Sequence, residues 1–183
     1  MPGFYDAGPL EQIAINLFHG WGYNFYRVEN QLRSDDQLVR GKASWLLGLA
    51  ADAVSTAEAD YRREFLPAPS RAKPFPDDIA VASAQRLERL HQAVCALSAH
   101  IQQLPVPEND RMTQRFRLEA PTLHTLINYD QLLIGQCELL RSLIVGHSAT
   151  ALLAEITDIE GGLEAIRTTL QSRQATLLGP IPQ

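Results

Sequence analysis

Apolar residues recur along this chain in alternating steps of three and four, sustained over several turns in four separate places. That spacing matches the 3.6-residue turn of an α-helix and gathers the apolar side chains of each segment onto one stripe. The first set is Leu10, Ala14, Phe18, Trp21, Phe25, Val28 and Leu32, and the second is Val39, Ala43, Leu46, Ala50, Ala53, Ala57, Tyr61 and Phe65. The third is Leu87, Leu90, Val94, Leu97, Ile101 and Leu104, and the last is Leu152, Ile156, Ile159, Leu163, Ile166 and Leu170. A narrow three-four seam suits long antiparallel helices packed at shallow angles. With 45% apolar residues, few β-branched runs and abundant Ala, Leu, Gln, Glu and Arg, nothing competes with helix.

The breakers divide the chain at matching places. Ser34, followed by Asp35, Asp36 and Gln37, reads as a capping box that starts a new helix. LPAPSRAKPFPDD, residues 66–78, holds four prolines and predicts a crossover, with Asp77 or Asp78 capping the helix after it. LPVPEND, residues 104–110, is a second stop and restart, with the break itself over 104–109. Pro121 interrupts residues 109–145, predicting either a kink or a short helix followed by a longer one starting at Pro121. Gly146 and Ser148 close the last hairpin as terminator and cap. The expectation is an all-α fold in one domain, residues 1–183. It would be an up-and-down antiparallel helical bundle of four to five long helices, with one extra or Pro-broken helix.

A net charge of −5 and a pI near 5.5 offer no general attraction to phosphate backbones, so nucleic acid is not the expected partner. No apolar stretch reaches about 18 residues and no basic-then-apolar leader opens the chain, which predicts a cytoplasmic protein with no membrane partner. Cys95 and Cys137 have no Cys-x-x-Cys spacing and fall in apolar helical patterns, where buried free thiols are expected.

FHGWGYNFYRVENQLR, residues 18–33, concentrates the chemistry of the chain. Phe18, Trp21, Phe25 and Val28 belong to the seam. One step round lie His19, Tyr23, Tyr26 and Asn30, each with a polar tip. A solvated face is ordinarily built from Lys, Glu and Gln, whereas rings with polar tips suit a surface that is alternately wet and covered. Burial of this helix on two sides would explain the same residues without a partner. Gly20 and Gly22 each cost a helix about 1 kcal/mol relative to alanine, so either a second backbone approaches HGWG or the helix breaks there and turns Trp21 into a pocket.

Metal and catalytic signatures are thin. Glu88-Arg89-Leu90-His91 has the Glu-x-x-His spacing of di-metal bundles, but it lies off the Leu87, Leu90, Val94 seam and no second copy exists. His91 and His100 are nine residues apart, which at about 100° per residue sets them on opposite sides of a helix. There is no phosphate loop, no G-x-S-x-G elbow and no H-E-x-x-H, so the sequence nominates no catalytic residue, metal or cofactor.

Two further segments carry charge. Residues 61–76 set Arg62, Arg63, Arg71 and Lys73 against Glu64 in a proline-rich connector, whose ends Phe65, Leu66 and Phe75 are expected to pin to the core. Arg111 and Arg115 stand one turn apart and make a secondary anion-binding candidate. The functional expectation is a protein-interaction module, such as an adaptor, chaperone or accessory subunit. It would use His19, Trp21, Tyr23, Tyr26, Arg27 and Asn30 against a protein partner or its own copy. The alternative is a small-ligand binder or enzyme with its pocket at HGWG.

Overall fold

The computed structural model describes residues 31–71, 74–104 and 120–178, with side chains over 36–71, 74–104 and 125–176. Among the described residues there are four helices and no strand: α1 (Gln31–Phe65), α2 (Asp78–Gln103), α3 (Ala120–Ile144) and α4 (Ala149–Leu178). The all-α bundle expected from the seams is the fold of the described residues; the first seam, from Leu10 to Val28, lies outside them.

Cross-helix contacts give the directions. Arg62 of α1 meets Glu88 of α2 at 3.0 Å, while Arg40, much nearer the start of α1, donates to the Leu104 carbonyl just past the end of α2. These two helices are therefore antiparallel. The short turn between Ile144 and Ala149 reverses α3 into α4, and Arg173 on α4 meets Asp130 on α3. Arg173 also reaches Asp36, which sets Asp36 level with Asp130, and the C-terminal turns of α1 share a cleft with residues 146–150. So α1 and α3 run parallel, and successive helices alternate up and down. In space α1 packs on α2 and α3, and α4 packs on α3 and α2, giving two antiparallel hairpins laid side by side.

Among the described residues the breaks fall where residue chemistry puts them, with one correction; the second break lies outside them beyond Leu104. Asp77 caps α2, its carboxylate accepting from the Ile79 amide at 2.9 Å. Pro121 sits in the first turn of α3, where its missing N–H leaves nothing unpaired. Gly146 takes a φ of +86°, a left-handed conformation that favours glycine, and the Ser148 hydroxyl accepts from the Ala151 amide. Ser34, however, starts no helix: α1 already runs through it from Gln31. The Asp36 of that apparent acidic first turn is a buried residue held by Arg173 of α4 and by Arg40 one turn along α1.

The seams of α1, α2 and α4 are buried almost residue for residue, from Val39 to Tyr61, Leu87 to Ile101 and Leu152 to Leu170. In α1 the buried surface is wider than one seam, because Leu47, Ala51 and Val54 are enclosed as well. A helix flanked by two neighbours needs two stripes. In α3 the seam is Leu126, Leu133, Cys137, Leu140 and Ile144, with Asp130 in line between the first two. The connector is pinned less than expected. Leu66 packs on the core, but Phe65 is 40% exposed and leans on Tyr61 with ring centroids 4.6 Å apart, and Phe75 is 80% exposed.

One end of the core is ionic. Arg173 Nε donates to Asp130 Oδ1 at 2.5 Å, and its Nη2 lies 2.9 Å from Asp36 Oδ1. Arg40 Nη2 holds the other oxygen of Asp36 at 2.6 Å, and Arg40 Nη1 donates to the Leu104 carbonyl at 2.5 Å. All four side chains are buried, and the two arginines balance the two aspartates. Asp36, Asp130 and Arg173 continue the seams of α1, α3 and α4, so they form a charged layer stacked on the apolar ones.

Two glycines inside α4 leave it unbroken. Gly161 is exposed, and a methyl group built on it would meet nothing within 4 Å. Gly161→Ala is therefore expected to raise the unfolding free energy by about 0.5–1 kcal/mol, read from urea denaturation, because it lowers the entropy of the unfolded chain without a clash.

Candidate interaction surface

The residues singled out in 18–33, namely His19, Trp21, Tyr23, Tyr26, Arg27 and Asn30, lie outside the described residues, as do Arg111 and Arg115. The described helices carry a different surface with the same character. Among the described side chains of α1 from Asp36 to Leu49, the exposed positions are Gln37, Leu38, Gly41, Trp45 and Leu49, with Gly48 half-buried between the last two. None carries a charge. From Asp52 onward the same face turns polar, with Asp52, Ser55, Thr56 and Asp60 exposed. A helix flanked by two neighbours has only its outer face left for water, and here that face is apolar over three turns.

Trp45 is the centre of this stripe and is 51% exposed. The Lys42 ammonium sits 4.0 Å from the centroid of its indole, so the cation orders the ring while the side chain itself is buried. Leu38 and Leu49 stand on either side at seven and four residues' distance, each more than a third exposed. Gly41 and Gly48 separate these large side chains, and at neither would an added methyl group touch anything within 4 Å. The result is a row of ridges and notches: Leu38, Gly41, Trp45, Gly48. The signal was present in the sequence. Leu38, Trp45 and Leu49 were among the apolar residues of α1 left over once its seam had been assigned, together with Leu47, Ala51 and Val54.

Beside the stripe, α3 presents Glu138 and Arg141, joined by two hydrogen bonds of 2.6 and 2.7 Å. Desolvation holds the Lys42 ammonium below the usual lysine range; Glu138 opposes this and Arg141 adds to it. The folded pKa is thus below the unfolded one, and between the two values the unfolded chain binds the extra proton. This group's contribution to stability therefore rises as pH climbs through the depressed value toward 10.5. Denaturation of wild type and Lys42→Met at several alkaline pH values is expected to show wild type gaining on the variant over that window.

A second concavity, an open cleft of about 530 Å³, lies at the far end between the last turns of α1 and the α3–α4 turn. Asp60, Glu64, Tyr61, His147, Ser148 and Thr150 are among its walls. Among the described residues no group of three or more His, Cys, Asp and Glu side chains is placed to hold a metal ion. Glu88 faces solvent and pairs with Arg62, as its off-seam position implied.

Of the two free cysteines, Cys137 is buried as expected and Cys95 is not. Cys137 is fully buried, and burial, reinforced by Glu138, pushes its thiol above the ordinary range. Cys95 is exposed, because it falls one step off the Val94 seam, and its Sγ lies 3.5 Å from His91 Nε2. A colorimetric thiol titration should find Cys95 reacting promptly in the native protein and Cys137 reacting only on unfolding.

Comparison with known protein families, with curated proteins and with solved structures found no match. The class defined by fold and surface is a helical bundle with an uncharged apolar stripe on one outer helix. No described helix is long and apolar enough to cross a membrane.

Proposed function

We propose that this chain is a helical-bundle protein-interaction module, an adaptor, chaperone or accessory subunit of the cytoplasm, which docks through the outer face of α1. The observation that carries this reading is the exposed run Leu38, Trp45 and Leu49 with no charge among the exposed residues between Gln37 and Leu49. An isolated exposed leucine is ordinary, but three large apolar side chains aligned on one face mark a binding surface. Aromatic residues in such a position also supply much of the energy in protein interfaces. The absence of exposed cations on this face argues for a protein partner rather than a phosphate-rich one. The polar-tipped set His19, Tyr23, Tyr26 and Asn30, outside the described residues, is proposed as a further set of partner-binding residues.

The test is affinity capture with the tagged full chain, comparing wild type with Leu38→Glu and Trp45→Glu, and identifying the retained species by mass spectrometry. Both substitutions are at exposed positions, so helix content by circular dichroism should be unchanged. The reading predicts a defined species, the chain itself included, held by wild type and lost by both variants. Equal retention by all three proteins would refute it.

A further inference from the structure

Resting on the reading above, we infer that the occupant of the α1 stripe is a second copy of this chain, docked antiparallel about a two-fold axis level with Ala43. The argument is the order of large and small residues. Leu38, Gly41, Trp45 and Gly48 lie at steps of three, four and three, on one stripe of the helix, alternating large and small. A two-fold axis reverses the partner's helix and sets each position opposite the one whose number completes the same sum. With the axis at 43, Trp45 falls on the partner's Gly41 and Leu38 falls on the partner's Gly48, and the symmetric pair repeats both contacts. Both large side chains of this row then meet a notch and both notches are filled, while Leu49 falls on the partner's uncharged Gln37.

Such self-complementarity is a requirement of an isologous interface, and a surface shaped for an unrelated partner has no reason to show it. Two further features agree. Gly41 and Gly48 have open space where a side chain would stand, so two α1 helices can approach closely. The exposed residues from Gln37 to Leu49 are uncharged, so bringing two copies together opposes no like charges although the chain as a whole is at −5. The contact spans about 16 Å of helix, eleven residues at about 1.5 Å each, which makes a modest, reversible dimer.

The experiment is sedimentation analysis of the full chain across the micromolar range, with four samples. Wild type is expected to show a concentration-dependent dimer. Trp45→Ala, which empties the notch, and Gly41→Leu, which blocks it, are each expected to weaken that dimer by about thirtyfold, the loss typical of a central interface residue. Mixing the two variants restores pairing: in the mixed dimer the new leucine faces the new alanine, and the other contact keeps tryptophan on glycine. Restoration in the mixture identifies this register, because a nonspecific apolar contact would gain from Gly41→Leu. Circular dichroism and unfolding midpoints of each variant show that the monomers remain folded.

A wild-type chain that stays monomeric, or a mixture no stronger than its parts, overturns the second copy as occupant. In that event, a heterologous species lost with Leu38→Glu and Trp45→Glu in the capture experiment would leave the interaction reading standing. Failure of both experiments would remove the two together.

Discussion

Arg173→Met is expected to destabilise the fold by about 3–5 kcal/mol, the cost of breaking a buried ion pair by removing one partner. In a chain of this length that loss lowers the thermal midpoint by roughly 10 °C. The reason lies in the charged layer. Arg173 spans the bundle from Asp130 on α3 to Asp36 on α1, and both carboxylates are 3% exposed or less. Methionine fills much of the volume but strips both acids of the guanidinium they share. Arg173→Lys keeps the charge and forfeits the fork that contacts two acids at once, so it should fall between wild type and methionine. Replacing Asp36, Arg40, Asp130 and Arg173 together by apolar residues of similar volume should cost less than Arg173→Met alone, since none of these four charges is then left buried without its partner. Chemical denaturation of the three proteins measures this order, and a four-fold variant weaker than the single one would refute it.

Leu133→Ala is expected to cost about 2–5 kcal/mol, the transfer energy of the lost atoms plus that of the cavity left behind. Leu133 is fully buried in the central cluster, on the seam of α3 one turn from Asp130. Leu38→Ala makes the contrast. Leu38 is 38% exposed on the outer stripe, so its truncation should change monomer stability by about 0.5 kcal/mol or less, while weakening association. The pair separates apolar residues that hold the bundle from those that serve its surface, by denaturation on one side and sedimentation on the other.

These two leucines also show how far the sequence could be read. Leu133 belongs to a regular four-three series, Leu126, Asp130, Leu133, Cys137, Leu140 and Ile144, yet an aspartate in the second place makes the series look broken. Its burial becomes intelligible only with Arg173, which lies 43 residues further on and binds it across the bundle. Asp36 was misread for the same reason. Beside Ser34 and Asp35 it resembles the acidic first turn of a new helix, whereas α1 passes straight through and turns it inward. The Trp45 stripe was legible as leftover apolar residues, but whether leftovers are a second core face or a bare surface depends on the neighbours. Leu47 and Val54 became core; Leu38, Trp45 and Leu49 did not. Cys95 and Val94 differ by one residue, which is 100° of helix, and that step alone put the thiol outside.

Helix, seam and stop are local matters. They arise from the period of the apolar residues, from prolines that lack an amide hydrogen and from side chains such as Asp77 that cap a free end, so the order of residues determined them unaided. Which helices became neighbours, which acids found a cation, and which apolar stripe was left facing water are questions about residues far apart in the chain. Those were decided in the tertiary structure, because burial depends on the groups that pack opposite a side chain, and nothing adjacent in sequence records them.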